Sequence, residues 1–277
     1  TGELVWHYQH MANDQWDLDW VFERQIVNVE VDGKTRKAVM NVGKMAILEA
    51  LDAATGEYLF SVDTGVQNVI TAIDPKTGAK TIDPGQIPDP EKTILICPSA
   101  SGARSWPPTS YSPLTKLVYL PLTESCMTMG KVGFRLLTSG VGISGGVHPD
   151  TADGKFGRVQ AIDVANQKLA WVYHQVTLPS TGLLATGGGL VFSGDTEPSL
   201  KAFDDSSGEL LWQAALDDSP SSGLITYQVD EKQYVAVGVG MRNFHIDALS
   251  GALGALAPGG RTSTAPKGGA AIWGFGL

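Results

Sequence analysis

An eleven-residue stretch, His10–Trp20, concentrates the side chains that could do chemistry, with three carboxylates and two tryptophans. Asp17 and Asp19 lie two positions apart, so in an extended segment or a tight loop at a strand end their side chains point the same way. Two converging carboxylates repel each other unless a cation or a shared proton lies between them. One interpretation is a general base or metal ligand beside a planar ligand held against Trp16 and Trp20. The other is a solvated acidic loop with two core tryptophans.

Composition limits the classes of protein to which this chain can belong. The 277 residues are 43% hydrophobic and 18% charged, which is enough for a packed globular core and argues against disorder. The 33 glycines and 15 prolines favour many turns. The net charge of -9 argues against a nucleic-acid partner, because a protein needs a basic surface to bind nucleic acid. The sequence has no apolar run long enough to cross a bilayer, so we expect no membrane span.

An internal repeat must position these side chains. Its pattern is a small or apolar residue followed by Asp-x-x-Thr/Ser-Gly, and its copies are Asp52–Gly56, Asp74–Gly78, Asp204–Gly208 and Asp247–Gly251, with looser copies at Asp163–Gln167 and Ser112–Leu117. In each copy we expect a turn between two strands, which Asp caps and in which Gly takes the left-handed conformation. Spacings of 41 and 43 residues from Asp163 to Asp204 to Asp247 are typical of four-stranded propeller blades. The copies at Asp52 and Asp74 are only 22 residues apart, so one of them should belong to an insertion or an inner hairpin.

These signals predict an all-β fold, a β-propeller with four-stranded antiparallel blades of which the chain holds a partial set. Predicted strands include Val27–Val31, Leu117–Leu120, Gly189–Gly194 and Tyr234–Gly238. The first residues, Thr1–Trp6, match the second half of the repeat, so residues 1–277 are expected to be the C-terminal part of a larger propeller domain. Such a part would need the N-terminal half of the propeller, or a partner chain, to close the ring.

Cys97 and Cys126 are the two cysteines of the sequence. Two cysteines cannot complete a four-ligand zinc site, and their separation rules out a Cys-x-x-Cys redox pair. If the protein is exported, a disulfide is favoured over two free thiols.

Four segments resemble the C-terminal half of the pyrroloquinoline quinone (PQQ)-dependent alcohol dehydrogenases, and together they cover about residues 1–245. They are Asn13–Asp19, similar to the family's Asp-x-Trp-Asp-x-Asp segment; Gly43–Gly56; Cys97–Cys126 with its Trp106–Pro113 core; and Ala185–Asp195. This family forms eight-bladed quinoprotein propellers, so the resemblance implies the same fold.

The resemblance also implies roles for individual residues. Asp17 takes the position of the catalytic general base, and Asp19 that of an additional metal-binding Asp in lanthanide-using members. Lys44 matches the basic residue that contacts the quinone, although by itself it could be an ordinary surface lysine. Trp106 matches a tryptophan near the cofactor, with inter-blade packing as the alternative. Ser105 stands where the family usually has Asn, so the details of quinone contact are expected to differ.

Cofactors, partners and compartment follow from the same resemblance. It implies PQQ with a calcium or lanthanide ion, the Cys97–Cys126 disulfide, a small alcohol as substrate, and a cytochrome c-type or other electron acceptor. It also implies a periplasmic location. The family's other metal ligands, a Glu and an Asn, are expected upstream of this chain. The alternative is a non-catalytic propeller acting as a periplasmic assembly scaffold, which would keep the repeat but would not need the acidic pair.

Overall fold

The computed structural model describes residues 1–135, 142–149, 153–240 and 269–276. The chain divides into two compact units: Thr1–Ala103 with Ser125–Asp150 and Val164–Gln167, and Arg104–Glu124 with Thr151–Asp163 and Lys168–Leu277. No helix in the described ranges has the length and apolar character needed to cross a membrane. The short 3-10 turn Pro84–Gln86 lies within the segment after the second copy of the repeat.

Among its described residues, the first unit forms a four-stranded sheet, in the order β1-β2-β3-β4, a hairpin, β5-β6, and a three-stranded sheet, in the order β11-β10-β7. The bounds are β1 Gln25–Val31, β2 Lys34–Val42, β3 Ile47–Asp52, β4 Tyr58–Asp63, β5 Ile70–Ile73, β6 Lys80–Ile82, β7 Thr93–Ile96, β10 Ser125–Arg135 and β11 Gly142–Pro149. Its core includes Trp16, Leu18, Trp20, Met45, Ile47 and Ile96.

In the part of the second unit that the structure describes, there are two four-stranded sheets, in the orders β13-β12-β9-β8 and β14-β15-β16-β17, and a three-stranded sheet, β18-β19-β20. The bounds are β8 Ser110–Ser112, β9 Leu117–Thr123, β12 Gly157–Asp163, β13 Lys168–Gln175, β14 Leu184–Ala185, β15 Leu190–Asp195, β16 Ser199–Asp204, β17 Leu210–Ala215, β18 Pro220–Val229, β19 Lys232–Val239 and β20 Ala271–Gly276. Strand pairings in both units are antiparallel. The predicted four-stranded antiparallel blades are confirmed, and the four predicted strands fall in β1, β9, β15 and β19.

The repeat forms the turns as predicted. Oδ1 of Asp52 accepts the N–H groups of Ala54 and Thr55, each at 3.0 Å, and the following Gly56 has a left-handed φ of 73°. Equivalent bonds form at Asp74 and Asp204, whose glycines have φ of 72° and 74°. The Asp74 copy joins β5 to β6, which confirms an inner hairpin. The Asp247 copy lies outside the described residues.

In two of these turns, those at Asp52 and Asp204, a tryptophan ring packs against the glycine. A Cβ on Gly56 would lie 2.6 Å from the ring of Trp6, and a Cβ on Gly208 would lie 2.4 Å from the ring of Trp171. The Trp6 indole N–H donates to Ala53 O at 3.2 Å, and the Trp171 indole N–H donates to Asp205 O at 3.0 Å. The missing side chain of glycine therefore makes room for the ring, and the turn backbone accepts the one polar hydrogen of that ring.

Acid should weaken the protein through these turns. The hydrogen bond from Arg36 lowers the pKa of Asp52 to about 2, and that from the Ser206 hydroxyl lowers the pKa of Asp204 to about 2. Because both values lie below the ordinary 3.8, the charged carboxylates stabilise the folded state above that pH, and this contribution is lost as the pH falls toward 2. Urea unfolding at several pH values should show that the free energy of unfolding depends less on pH in Asp204→Asn than in the parent. Equal pH dependence would show that this turn is not the acid-sensitive element.

Candidate functional site

Asp17 and Lys44 form the centre of the candidate site, in the first unit. Lys44 Nζ donates to Asp17 Oδ1 at 2.9 Å and to Asp17 O at 2.8 Å. The Asp17 side chain is 58% exposed, whereas that of Lys44 is 11% exposed. An ordinary surface lysine is therefore ruled out for Lys44: its ammonium is buried, and its partner carboxylate faces solvent.

Asp19 brings the second carboxylate to the same ammonium. Its Oδ1 lies 3.3 Å from Lys44 Nζ and is buried, yet it receives no well-aligned hydrogen bond from the described residues. The predicted convergence of Asp17 and Asp19 is thus present, and the cation between them is a side chain of the protein. The geometry that produces it is a loop, because His10–Trp20 contains no strand and Asp17 has a left-handed φ of 60°.

Asp14 shapes this loop, a role that the spacing of the acidic pair did not reveal. Its Oδ1 accepts the N–H of Trp16 at 3.0 Å, and its Oδ2 accepts the N–H of Leu18 at 2.8 Å. Burial raises the pKa of Asp14, the charges of Asp17 and Asp19 raise it further, and the two N–H groups oppose the shift. The signal in the sequence is the Asp itself, because an Asp side chain in a loop can accept the backbone N–H two residues further on.

Trp16 and Trp20 do not form a platform for a planar ligand. They are 1% and 5% exposed and belong to the core of the first unit. The Trp16 indole N–H donates to Gln86 O at 2.7 Å, so this ring is fully committed to the fold. The idea of a ring-shaped ligand against these two tryptophans is therefore wrong, and the interpretation as core tryptophans is correct for both.

A buried charged cluster packs against Trp20 and also escaped sequence analysis. The fully buried Glu49 meets His10 Nδ1 at 2.5 Å and Lys80 Nζ at 2.6 Å. The His10 ring stacks on Trp20 at 5.4 Å and 7°, and Lys80 Nζ lies 5.4 Å from a Trp20 ring centroid. Burial and the negative charge of Glu49 raise the pKa of Tyr8, which also hydrogen-bonds Glu49. This cluster fixes the ring next to Asp19.

Gly43 directly precedes Lys44 in the turn between β2 and β3, and the Trp20 ring packs against it. A Cβ at Gly43 would lie 2.3 Å from the Trp20 ring, so we expect Gly43→Ala to lower the free energy of unfolding by about 1–3 kcal/mol. Chemical denaturation would measure this loss. Gly187→Ala is the matched control, since nothing lies within 4 Å of its Cβ position. Equal losses in the two variants would contradict the packing of Trp20 on Gly43.

Ser105 and Trp106 lie in the second unit. The Ser105 hydroxyl is buried without a hydrogen-bond partner among the described residues, and Trp106 is 55% exposed. Exposure of this size does not fit a ring buried by packing within the unit. Their roles toward a cofactor stay predictions.

Cys97 and Cys126 form a disulfide within the first unit, which confirms the predicted pairing. Cys97 directly follows β7, and Cys126 lies in β10, its neighbour in the sheet. Both cysteines are buried, at 7% and 1% exposure.

A hard cation such as calcium or a lanthanide fits the site in part. Asp17 and Asp19 offer the oxygen ligands that such ions prefer, and Asp19 Oδ1 has unused acceptor capacity. Calcium takes about six to eight oxygens. The described residues contain no group of three or more His, Cys, Asp or Glu side chains arranged to hold a metal. Asp17 and Asp19 would therefore supply only part of a coordination sphere.

The chain is similar in sequence to quinoprotein dehydrogenases. The quinohemoprotein alcohol dehydrogenase ADH-IIG of Pseudomonas putida is 31% identical over 87% of this chain and 36% of its own length. The 1-butanol dehydrogenase (cytochrome c) of Thauera butanivorans is 30% identical over the same shares. A europium-containing methanol dehydrogenase structure matches 98% of this chain and 50% of its own, with TM-score 0.83 and 26% identity. The chain spans about a third of the length of the curated relatives.

The match to a family model covers the loop His10–Trp20, the turn that holds Lys44, and the repeat copies at Asp52, Asp163 and Asp204. The PQQ family model, described as "Glucose/ethanol/alcohol dehydrogenase, beta-propeller domain", matches residues 1–66 and 150–235, which is more than half of the chain. The chain therefore belongs to the PQQ β-propeller family of glucose, ethanol and alcohol dehydrogenases.

Proposed function

We propose that this chain is the C-terminal part of the propeller domain of a PQQ-dependent alcohol dehydrogenase, with residues 1–277 belonging to that domain. The observation that carries the proposal is the constellation of Asp17, Asp19 and Lys44, in which two carboxylates meet one buried ammonium. The family match supports it, because Asp17, Asp19 and Lys44 lie within the matched residues 1–66. The resemblance assigns them the roles of general base, metal ligand and quinone contact.

Alcohol oxidation requires a base for the hydroxyl proton and an acceptor for two electrons and the carbon-bound hydrogen. Bound PQQ would supply the acceptor. The exposed Asp17 carboxylate can meet a substrate hydroxyl and take its proton. Lys44 Nζ donates one hydrogen bond to this carboxylate and a second to the Asp17 backbone carbonyl, so the base has a fixed position before substrate arrives. Its ammonium would also stabilise negative charge that develops next to it during the reaction.

We assign Asp17 and Asp19 to the protein's share of a calcium or lanthanide site, and Ser105 and Trp106 to contact with the cofactor. The remaining metal ligands would come from outside the described residues. The name of one relative, a europium-containing methanol dehydrogenase, supports lanthanide as a candidate ion.

The proposed substrate is a small alcohol, and the proposed electron acceptor is a cytochrome c-type protein or another external acceptor. The name of the Thauera relative, 1-butanol dehydrogenase (cytochrome c), supports both. The N-terminal half of the propeller, on the same or a partner chain, would complete the domain. We propose a periplasmic location, with which the disulfide agrees, because disulfides persist in oxidising compartments.

The test is reconstitution of the full-length protein with PQQ and either calcium or a lanthanide, followed by dye-linked alcohol oxidation. Activity should appear with at least one ion. Asp19→Ala should reduce lanthanide-supported activity more than calcium-supported activity, because a trivalent ion gains more from an additional anionic oxygen. An unchanged metal preference would remove Asp19 from the metal site. Absence of both PQQ binding and oxidation would reject the enzyme and favour an assembly scaffold.

A further inference from the structure

Lys44 is held by more than its ion pair. It lies in the tight turn between β2 and β3, and its N–H donates to Asp19 O at 3.0 Å. Its carbonyl accepts the N–H of Ala103 at 2.8 Å. Ala103 belongs to a separate segment, the loop Cys97–Ala103. This loop follows β7 and ends at the last residue of the segment Thr1–Ala103 of the first unit. The backbone of the proposed quinone-contacting lysine therefore depends on where this loop lies.

The loop itself is clamped to strand β10. The Cys97–Cys126 disulfide fixes its first residue. Two positions on, Ser99 N–H donates to Ser125 O at 2.9 Å, and the Ser99 and Ser125 hydroxyls are 2.9 Å apart, with both residues 1% exposed. A buried hydroxyl pair of this kind is costly to break, because each oxygen would lose its partner out of reach of water.

Two hydrogen bonds with Asn68 also hold the first residue of the loop. Asn68 Oδ1 accepts the N–H of Cys97 at 2.8 Å, and the Asn68 N–H donates to Cys97 O at 3.1 Å. Further along, Gly102 N–H donates to Ser99 O at 2.7 Å, which closes the loop just before Ala103. The Cys97–Cys126 disulfide, the Ser99–Ser125 hydroxyl pair and the hydrogen bond from Gly102 to Ser99 thus connect β10 to Ala103, which donates to the carbonyl of Lys44.

We infer that the loop Cys97–Ala103 is a positioning element for Lys44, and that the Cys97–Cys126 disulfide and the Ser99–Ser125 hydroxyl pair hold it in place. This inference rests on the proposed function for the role of Lys44, but the contacts do not depend on it. Because both sulfur atoms belong to buried residues and thiol exchange needs access to sulfur, the disulfide acts as a permanent clamp in the folded protein.

The experiment compares Ser99→Ala and a Cys97→Ser/Cys126→Ser double variant with the parent, in the full-length protein without cofactor. Hydrogen exchange should be about fivefold faster at the Ala103 amide in Ser99→Ala, and faster still in the double variant. The Lys44 amide should follow in the same direction. Reductive methylation of Lys44 Nζ, followed by peptide mass spectrometry, should also be faster, whereas methylation of the buried Lys201 in the second unit should not change.

Ser61→Ala is the matched control. It also removes a hydroxyl pair in the first unit, that of Tyr58 and Ser61 at 2.9 Å, but it does not touch the loop. It should leave exchange at Ala103 and Lys44 unchanged. If Ser99→Ala leaves Ala103 and Lys44 protected, or if Ser61→Ala exposes them equally, the inference is wrong. If the double variant does not fold, Ser99→Ala decides. Faster exchange at Lys44 with unaltered alcohol oxidation would uphold the positioning role and reject the proposed catalytic use of Lys44.

Discussion

Asp17→Asn should lower kcat for alcohol oxidation by roughly 100-fold or more, with PQQ still bound. The amide retains the size and the acceptor oxygen of the carboxylate, so Lys44 keeps a hydrogen-bond partner. What is lost is the ability to take the substrate's hydroxyl proton. Steady-state kinetics of the reconstituted full-length protein would give kcat, and the absorbance of bound PQQ would show that loading is unchanged.

Asp32→Asn is the matched control for this variant. Asp32 is exposed and has a left-handed φ of 51°, close to the 60° of Asp17, but it lies in the turn between β1 and β2. Asn tolerates this conformation at both sites, so backbone strain cannot explain a difference between them. Near-full turnover of Asp17→Asn with either metal would refute the assignment of Asp17 as the general base.

Lys44→Met should lower kcat by about 100-fold, the size of effect seen when a single charge-stabilising group is removed from an active site. Methionine fills a similar volume but carries no charge. Asp17 and Asp19 would then face each other without their ammonium, so the base would lose both its position and its electrostatic balance. Lys44→Arg should retain part of the activity, because it preserves the charge but changes its geometry.

Lys201→Met provides the comparison for the loss of a buried lysine. Lys201 is 7% exposed at its side chain and is paired with the buried Asp195 in the second unit. Breaking that pair should destabilise the protein but leave kcat per folded molecule unchanged. Should Lys44→Met retain parental kcat while its unfolding free energy falls as in Lys201→Met, Lys44 would be a structural lysine.

The repeat made much of the fold predictable from sequence. A turn that needs Asp at one end and a left-handed Gly at the other leaves a local signature, so the hairpins at Asp52, Asp74 and Asp204 could be placed correctly. Strands with continuous apolar runs, such as β15 and β19, follow from the same local logic. The 22-residue spacing of Asp52 and Asp74 predicted that one of the two copies belongs to an insertion or an inner hairpin, and the structure shows that it is the Asp74 copy.

The candidate site was less predictable because its contacts are distant in sequence. The Lys44–Asp17 bond spans 27 positions, and the His10–Glu49 pair spans 39. No spacing rule links such residues, so the cluster around Glu49 could not be predicted from the sequence. Lys44 was singled out only because its segment resembles the family. Trp16 and Trp20 were misassigned in the planar-ligand interpretation because alternation in a short loop does not tell which side chains face the core.

The tryptophan-bearing turns have a consequence for how the chain reaches its native order. Trp6 and Trp171 occupy the same kind of socket, a left-handed glycine with a carbonyl at hydrogen-bond distance. Because the two sockets are built alike, we expect that the wrong ring can enter a socket during folding. Repeat proteins are prone to such misassembly. Contacts that are not repeated along the chain, such as those of Glu49 and the Cys97–Cys126 disulfide, would favour the native order over such misassembly.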